Sequence, residues 1–382
     1  MSAAIYISEF SVVCALGQDT PTVAANIFSA APRTISAVAT LTDGRPMPVG
    51  RVTLGNALEE TRTNRIVAQC LAPLAEAIAD VKERVGADRL GVVIGTSTSG
   101  VGEGGEALER KAKEGRWPKG YTLAPQQLGD TARFAAQAIG ALGPYYSVST
   151  ACTSGARAMA AGARLIQAGL CDAVLCGGAD SLCDLTLNGF AALSSLSETV
   201  CNPMSANRNG LNLGEGAALF LLTREPSRFR LAGWGGSVDG HHMSAPDPTG
   251  KGAEAAMRAA LAMAQIESRS INFAHLHGTA TKLNDQMEAQ VIERLLGLDT
   301  PCASTKPLTG HTLGAAGAVQ AALCLLAMEQ GRLPPHIWDG ERDPELPPIR
   351  LSEIGETGRL NTILSASYAF GGNNAALVLA TA

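Results

Sequence analysis

The chain has 382 residues, 46% of them apolar and only 17% charged, which fits about two domains or one large domain built from two halves and argues against disorder. A net charge of −5 with no basic stripe excludes a nucleic-acid binder of the usual kind. Nine cysteines with no CxxC pair and no secretion signal point to free thiols in a reducing compartment, not to disulfides or structural zinc.

The opening segment, MSAAIYISEFSVVCALG, has no basic start and carries Glu9 inside its apolar run, so it reads as a first strand and not as a signal peptide. Short apolar runs follow at 90–97 (LGVVIGTS), 145–151 (YYSVSTA), 172–179 (DAVLCGGA) and 217–223 (AALFLLT). They alternate with Ala-rich stretches that predict helices over 64–84, 153–168, 252–266, 285–296 and 314–330, an α/β pattern. No stretch approaches the ~20 uninterrupted apolar residues that span a bilayer. Two segments look duplicated: SVSTACTSGARAMAAGARLI and CASTKPLTGHTLGAAGAVQAALCLL each run strand, Ser-Thr turn, small-residue helix. They divide the chain into halves over 1–225 and 226–382.

Four places carry chemistry. Cys152 stands between the run ending at 151 and the helix from 153, where helix amides favour an anion and lower a thiol pKa; an arbitrary cysteine is otherwise a small buried hydrophobe. His277 ends a short apolar strand before Gly278, with His275 a decoy on the same strand, and either ring has a structural hydrogen-bonding role as its plainer reading. Asp285 and Glu288 have the D-x-x-E form of a capping box. Lys306 and His311 flank Gly310 in the loop STKPLTGHTLGAAGA, weak evidence when taken alone. In SYAFGGNN, the glycines after Phe370 let backbone amides come close to a reacting atom.

Taken in order, the Cys elbow STACTSG, HGTAT, Lys306 and His311 within GHTLGAAG, and FGG resemble the β-ketoacyl-ACP synthases of the I/II type, condensing enzymes of the thiolase superfamily. The resemblance runs over nearly the whole chain and implies an α/β, thiolase-like, duplicated α-β-α-β-α layered sandwich. It implies that Cys152 carries an acyl thioester and that malonyl on acyl carrier protein is decarboxylated and condensed with it in a ping-pong cycle. His277 and His311 would hold the enolate oxygen, and the backbone N–H groups of Cys152 and Phe370 would form a second oxyanion hole. Lys306, held by Glu288, would order the site; Thr279 and Thr281 would bind the pantetheine arm, Phe370 would gate the acyl pocket, and Gly371 and Glu288 would be further substrate-binding residues. The implied partners are acyl carrier protein and either a second copy or a related synthase or chain-length subunit, in the cytoplasm, with no cofactor beyond the phosphopantetheine arm, no nucleic acid and no membrane span. HGTATKLNDQMEA is similar to polyketide and aryl-polyene synthases more than to fatty-acid ones.

Some positions depart from the family pattern. Gln320 stands where many members have a Glu linked to a structural cation, so no metal is expected. Asn207 and Asn209 replace aspartates around Arg208 and Glu215, which predicts weaker charge pairing in that loop. Arg62 and Arg65 match a carrier-docking patch, against the plainer reading of a solvated helix face. A thiolase acting on CoA esters would need a late cysteine, and none follows Cys324; Lys306 and His311 disfavour a type III synthase. A non-catalytic chain-length partner would typically lack the cysteine that this chain keeps.

Overall fold

The computed structural model describes residues 4–382. The first half contains β1 (Tyr6–Val13), α1 (Thr20–Ile27), β2 (Ala37–Thr40), β3 (Pro46–Val49), α2 (Arg62–Leu71), α3 (Ala75–Val85), β4 (Leu90–Gly95), α4 (Val101–Glu114), α5 (Asp130–Ile139), β5 (Tyr145–Val148), α6 (Ser154–Gln167), β6 (Ala173–Asp180), α7 (Asp184–Ala192) and β7 (Gly216–Thr223). The second contains β8 (Phe229–Val238), α8 (Lys251–Ala264), β9 (Phe273–His275), α9 (Lys282–Leu296), β10 (Cys302–Ala303), α10 (Lys306–Thr309), α11 (Ala316–Gln330), β11 (Thr362–Ala369) and β12 (Asn373–Thr381).

Apart from the β2–β3 hairpin, the strands lie in the order β10-β9-β11-β12-β8-β1-β7-β6-β4-β5. Read inward from either edge, each half places its third, second, fourth, fifth and first strands in the same sequence. The pairings repeat as well. In each half the first two neighbour pairs from the edge are parallel and the next two antiparallel. The halves join where β1 meets β8, through Tyr6 with Arg230 and Ile7 with Phe229.

Both faces of each half-sheet are covered, so the strands read as continuous apolar runs. On β7, Leu219 and Leu221 pack under α2, α3 and α5, whereas Phe220 and Leu222 face α6. On the other half-sheet, Leu364, Ala366 and Val378 pack against α8 and α9, and Ile363, Leu377 and Leu379 join the central cluster with α11. Five layers result, with α6 and α11 in the middle. Small residues there are a packing demand: a Cβ on Gly155 would lie 2.8 Å from the Ala318 Cβ.

Two sequence expectations need correction. The helix predicted over 64–84 is two helices broken by a 3-10 turn at Ala72–Leu74, because Pro73 has no N–H to continue the ladder. The helix containing Asp285 and Glu288 begins earlier, at Lys282, and no side chain caps it. One helical stretch, Leu313–Gln330, is long and apolar enough to cross a membrane by length and composition, but 89% of it is buried as the central helix. All nine cysteines are free and buried.

Candidate active site

The turn after β5 creates the first element of the site. Ala151 adopts a left-handed φ of 52°, and Ser154 closes the turn by accepting from the Thr150 N–H at 2.9 Å and donating to the Ala151 carbonyl at 2.6 Å. A non-glycine residue at positive φ is locally costly, and it is held here by those bonds and by the start of α6. Cys152 is therefore pushed out at the crest, one residue before the Thr153 N-cap.

The second half brings the imidazoles. His311 is fixed from the first half: its N–H donates to the Asn212 carbonyl at 2.7 Å, and its own carbonyl accepts from the Gly214 N–H at 2.9 Å. Only glycine allows this approach, since a Cβ at 214 would sit 2.4 Å from the Thr309 carbonyl oxygen. His311 Nε2 lies 2.9 Å from Cys152 Sγ, and the His277 ring stands edge-on to the His311 ring with centroids 5.3 Å apart. The sulfur and one ring nitrogen from each histidine all lie within 4.8 Å of one another.

A buried charge pair shapes the loop that carries His277. Glu288 accepts from the N–H groups of His277 and Gly278, both at 2.7 Å, while the Lys306 ammonium donates to the His277 carbonyl. Lys306 is thus not held directly by Glu288; the two grip opposite sides of the same peptide. Nor do the carboxylates form the capping box read in the sequence, because Asp285 accepts from the Met204 and Ala280 N–H groups at 2.8 and 3.2 Å.

Burial governs the titration of these groups. It pushes both imidazoles well below their ordinary range, aided by the Lys306 charge, so they are neutral near pH 7. It also pushes the Cys152 thiol up to about 12, against the lowering pull of Lys306 and of the Cys152 and Phe370 N–H groups. The sequence expectation of an acidified thiol is corrected here, since desolvation outweighs the helix amides. Burial raises Glu288 and lowers Lys306, each opposed by attraction to the other.

Cys152, His277 and His311 line an inner cavity of about 50 Å³ together with Thr279, Thr281, Asn284, Tyr368 and Phe370. The two threonine hydroxyls are 2.9 Å apart. An outer cavity of about 410 Å³, bounded by Leu193, Gly210 and Lys282, shares Thr281, Pro246 and Phe370 with the inner one, which makes a two-chamber path to the sulfur. Phe370 stacks on Phe190 at 5.4 Å. Sequence reasoning missed Phe190, Asn284 and Tyr368; Tyr368 lies inside the SYAFGGNN motif and carried its signal there.

Other predicted residues lie elsewhere. Glu288 does not line either cavity, and the Gly371 N–H is taken by the Met243 carbonyl at 2.7 Å, so neither is placed as a substrate contact. His275 is a core residue, 3.0 Å from Gln320 Nε2 and 3.2 Å from Thr305 Oγ1. Arg62 pairs with buried Glu215 at 2.5 Å, and Arg65 is tied to Asn56, so the docking patch read there is a structural one. The loop with Asn207 and Asn209 takes one ion pair from the second half, Arg208 with Asp343, and the neutral Asn207 amide donates to Asp339 at 2.9 Å.

A thiol on a strained elbow, neutral imidazoles beside it and backbone amides aimed at it define a class: enzymes that carry an acyl group on sulfur and stabilise oxyanions beside it. Residues 53–227 match the β-ketoacyl synthase N-terminal domain and residues 229–338 the β-ketoacyl synthase C-terminal domain. The chain is 34% identical to the tetracenomycin polyketide synthase ketoacyl synthase alpha subunit of Streptomyces glaucescens, over 78% of this chain and 75% of that one. It is 29% identical to the 3-oxoacyl-[acyl-carrier-protein] synthase 2 of Staphylococcus aureus, over 84% and 85%. Among solved structures it resembles a chain of the ketosynthase ApeO in complex with its chain length factor ApeC from Xenorhabdus doucetiae, at 40% identity, a TM-score of 0.94 and coverage of 100% and 98%. The protein belongs to the β-ketoacyl synthase family of acyltransferase-type condensing enzymes.

Proposed function

We propose that the chain is a 3-oxoacyl-ACP synthase that elongates a growing polyketide or aryl-polyene chain, with Cys152 as nucleophile and His277 and His311 as enolate donors. The observation that carries this reading is the meeting of Cys152 Sγ with both imidazoles inside 4.8 Å, in a cavity reached from outside through Thr281 and Phe370.

Acylation begins with Cys152 Sγ attacking the carrier-bound thioester, its proton passing to the departing pantetheine sulfur. The tetrahedral oxygen is received by the Cys152 and Phe370 N–H groups, and the pantetheine thiolate leaves with the proton. Malonyl thioester then loses CO2, and the electron pair released becomes an enolate whose oxygen the two imidazoles hold through N–H groups. Neutral imidazoles suit this step, because a cationic ring would give its proton to the carbanion equivalent and quench it. The enolate carbon attacks the Cys152 thioester, forming the new C–C bond as the C–S bond breaks, and the departing Cys152 thiolate takes a proton from solvent. The product is a 3-oxoacyl thioester two carbons longer.

Thr279 and Thr281 suit the amide groups of the pantetheine arm, and the Phe190–Phe370 stack suits a gate, because about 50 Å³ holds only one or two waters and no acyl chain. Nothing in this cycle requires a metal or a cofactor other than the carrier's arm. Acyl carrier protein is the proposed donor of both substrates, in the cytoplasm. Likeness to a ketosynthase solved with its chain length factor favours assembly with a related subunit, and the exposed edge strand β5, with Tyr145 52% exposed, offers a place for it.

The test is intact-mass analysis after incubation with saturated, polyenoic and aryl acyl-ACPs. Cys152→Ala abolishes the acyl adduct, and His311→Ala retains the adduct but loses condensation with malonyl-ACP. An adduct that survives loss of Cys152, or product formation undiminished in the His311 variant, overturns the assignment.

A further inference from the structure

Of the polar side chains of the inner cavity that the mechanism above does not use, one has no partner. Tyr368, on β11 two residues before Phe370, is only 4% exposed, and its hydroxyl is buried with no hydrogen-bond partner. Its ring stands edge-on to His277 with centroids 5.7 Å apart, and it lines the cavity beside Asn284. A buried hydroxyl with no partner is destabilising, because it has given up water and gained nothing in return. Phenylalanine would fill the same space without that cost, so the oxygen calls for a partner that arrives from outside.

We propose that Tyr368 is an extender-binding residue whose hydroxyl donates to the carboxylate of the malonyl thioester. The inference rests on the condensing function proposed above. A malonyl group brings two polar ends into the cavity, its thioester oxygen and its carboxylate. The imidazole pair, next to the sulfur, accounts for the first. The phenol ring packs against His277, whereas His311 is the ring in hydrogen-bonding distance of Cys152, so a third polar side chain lines the cavity beside the imidazole pair, within reach of a group that extends past the thioester oxygen. Burial keeps the phenol protonated, aided by the Glu288 and Asp239 charges, so it is held in its neutral form near neutral pH. A neutral donor also suits the chemistry. A cation would bind the carboxylate charge strongly and oppose its loss as CO2, whereas one hydroxyl orients the carboxylate while lowering its ground state little.

The experiment compares amide-linked malonyl-pantetheine and acetyl-pantetheine, which cannot acylate the thiol, by calorimetry on the full chain and on Tyr368→Phe. The unmutated protein should prefer the malonyl probe, and Tyr368→Phe should lose about 5- to 30-fold of that affinity with no shift for the acetyl probe. In turnover, the same variant raises KM for malonyl-ACP more than it lowers kcat. Equal weakening of both probes, or an unaltered preference for malonyl, overturns the proposal. A protein that discriminates the probes yet forms no acyl-enzyme instead overturns the condensing function and leaves the carboxylate contact standing.

Discussion

Glu288→Ala separates the role of the buried charge pair from that of the thiol. The carboxylate is fully buried and is the acceptor for two N–H groups at 2.7 Å, so its removal leaves both donors unpaired and strips the Lys306 ammonium of its nearest negative charge. Breaking a buried pair in this way costs about 3–5 kcal/mol. At about 2.1 cal/mol/K per residue, 382 residues carry an unfolding entropy of roughly 0.8 kcal/mol/K, which converts that loss into a Tm lower by about 4–6 °C. The His277 peptide is then held only by Lys306, and the ring drifts from its partner. Losing one oxyanion donor slows such steps by about 100- to 1000-fold. Scanning calorimetry reads the first effect, and release of labelled CO2 from malonyl-ACP reads the second, while intact mass follows acylation of Cys152. Glu288→Gln falls between, because its carbonyl can still accept from one amide while its NH2 faces the other donor. A Glu288→Ala protein with unaltered Tm and decarboxylation, or one whose acylation falls as far as its decarboxylation, refutes the division of labour.

Two other outcomes follow from the same geometry. Because burial raises the Cys152 thiol to about 12, the rate of its alkylation by iodoacetamide should climb steadily from pH 7 to 9.5; a plateau with a midpoint near 7 means that the helix amides win after all. Gly155→Ala forces a Cβ to within 2.8 Å of Ala318 and should cost about 1–3 kcal/mol and a few degrees of Tm, and a variant as stable as the parent shows that α6 and α11 can part freely.

Much of the site was legible because its chemistry is written in short contiguous segments. Cys152, His277, Lys306 and His311 each sit just beyond or at the end of a short regular element, and the backbone at such a junction fixes where a side chain projects. Gly214 and Gly310 mark the close approach of two loops in the same local way. The break at Pro73 was equally local and could have been read from the residue itself. What depended on distant partners was hidden. Arg62 looked like a free surface cation, and only the fold brings Glu215 to it from 153 residues away. Asp180 gave no sign that it would accept from Ser97, Thr98 and Gly314 and so lock the turn after β4 to the start of α11. The duplication was visible in the two motif-bearing segments, yet the shared strand order was not, because β1 and β8, the first strands of their halves, end up together at the centre.

Burial is also what turns these residues into a site with a resting state. In water the thiol would be partly ionised at neutral pH and the imidazoles partly protonated. Inside the fold both shift away from charge, so the cavity rests with a neutral thiol 2.9 Å from a neutral ring. Charge then develops only when a thioester arrives to receive it, at places where amides, imidazoles and the Lys306 field are already aimed. The sulfur and both rings are at most 6% exposed, so little bulk water reaches them to supply the same stabilisation to the ground state. The Lys306 charge needs Glu288 to remain inside, and both act through one peptide, so the pair that holds His277 in place also sets the field in which the sulfur reacts.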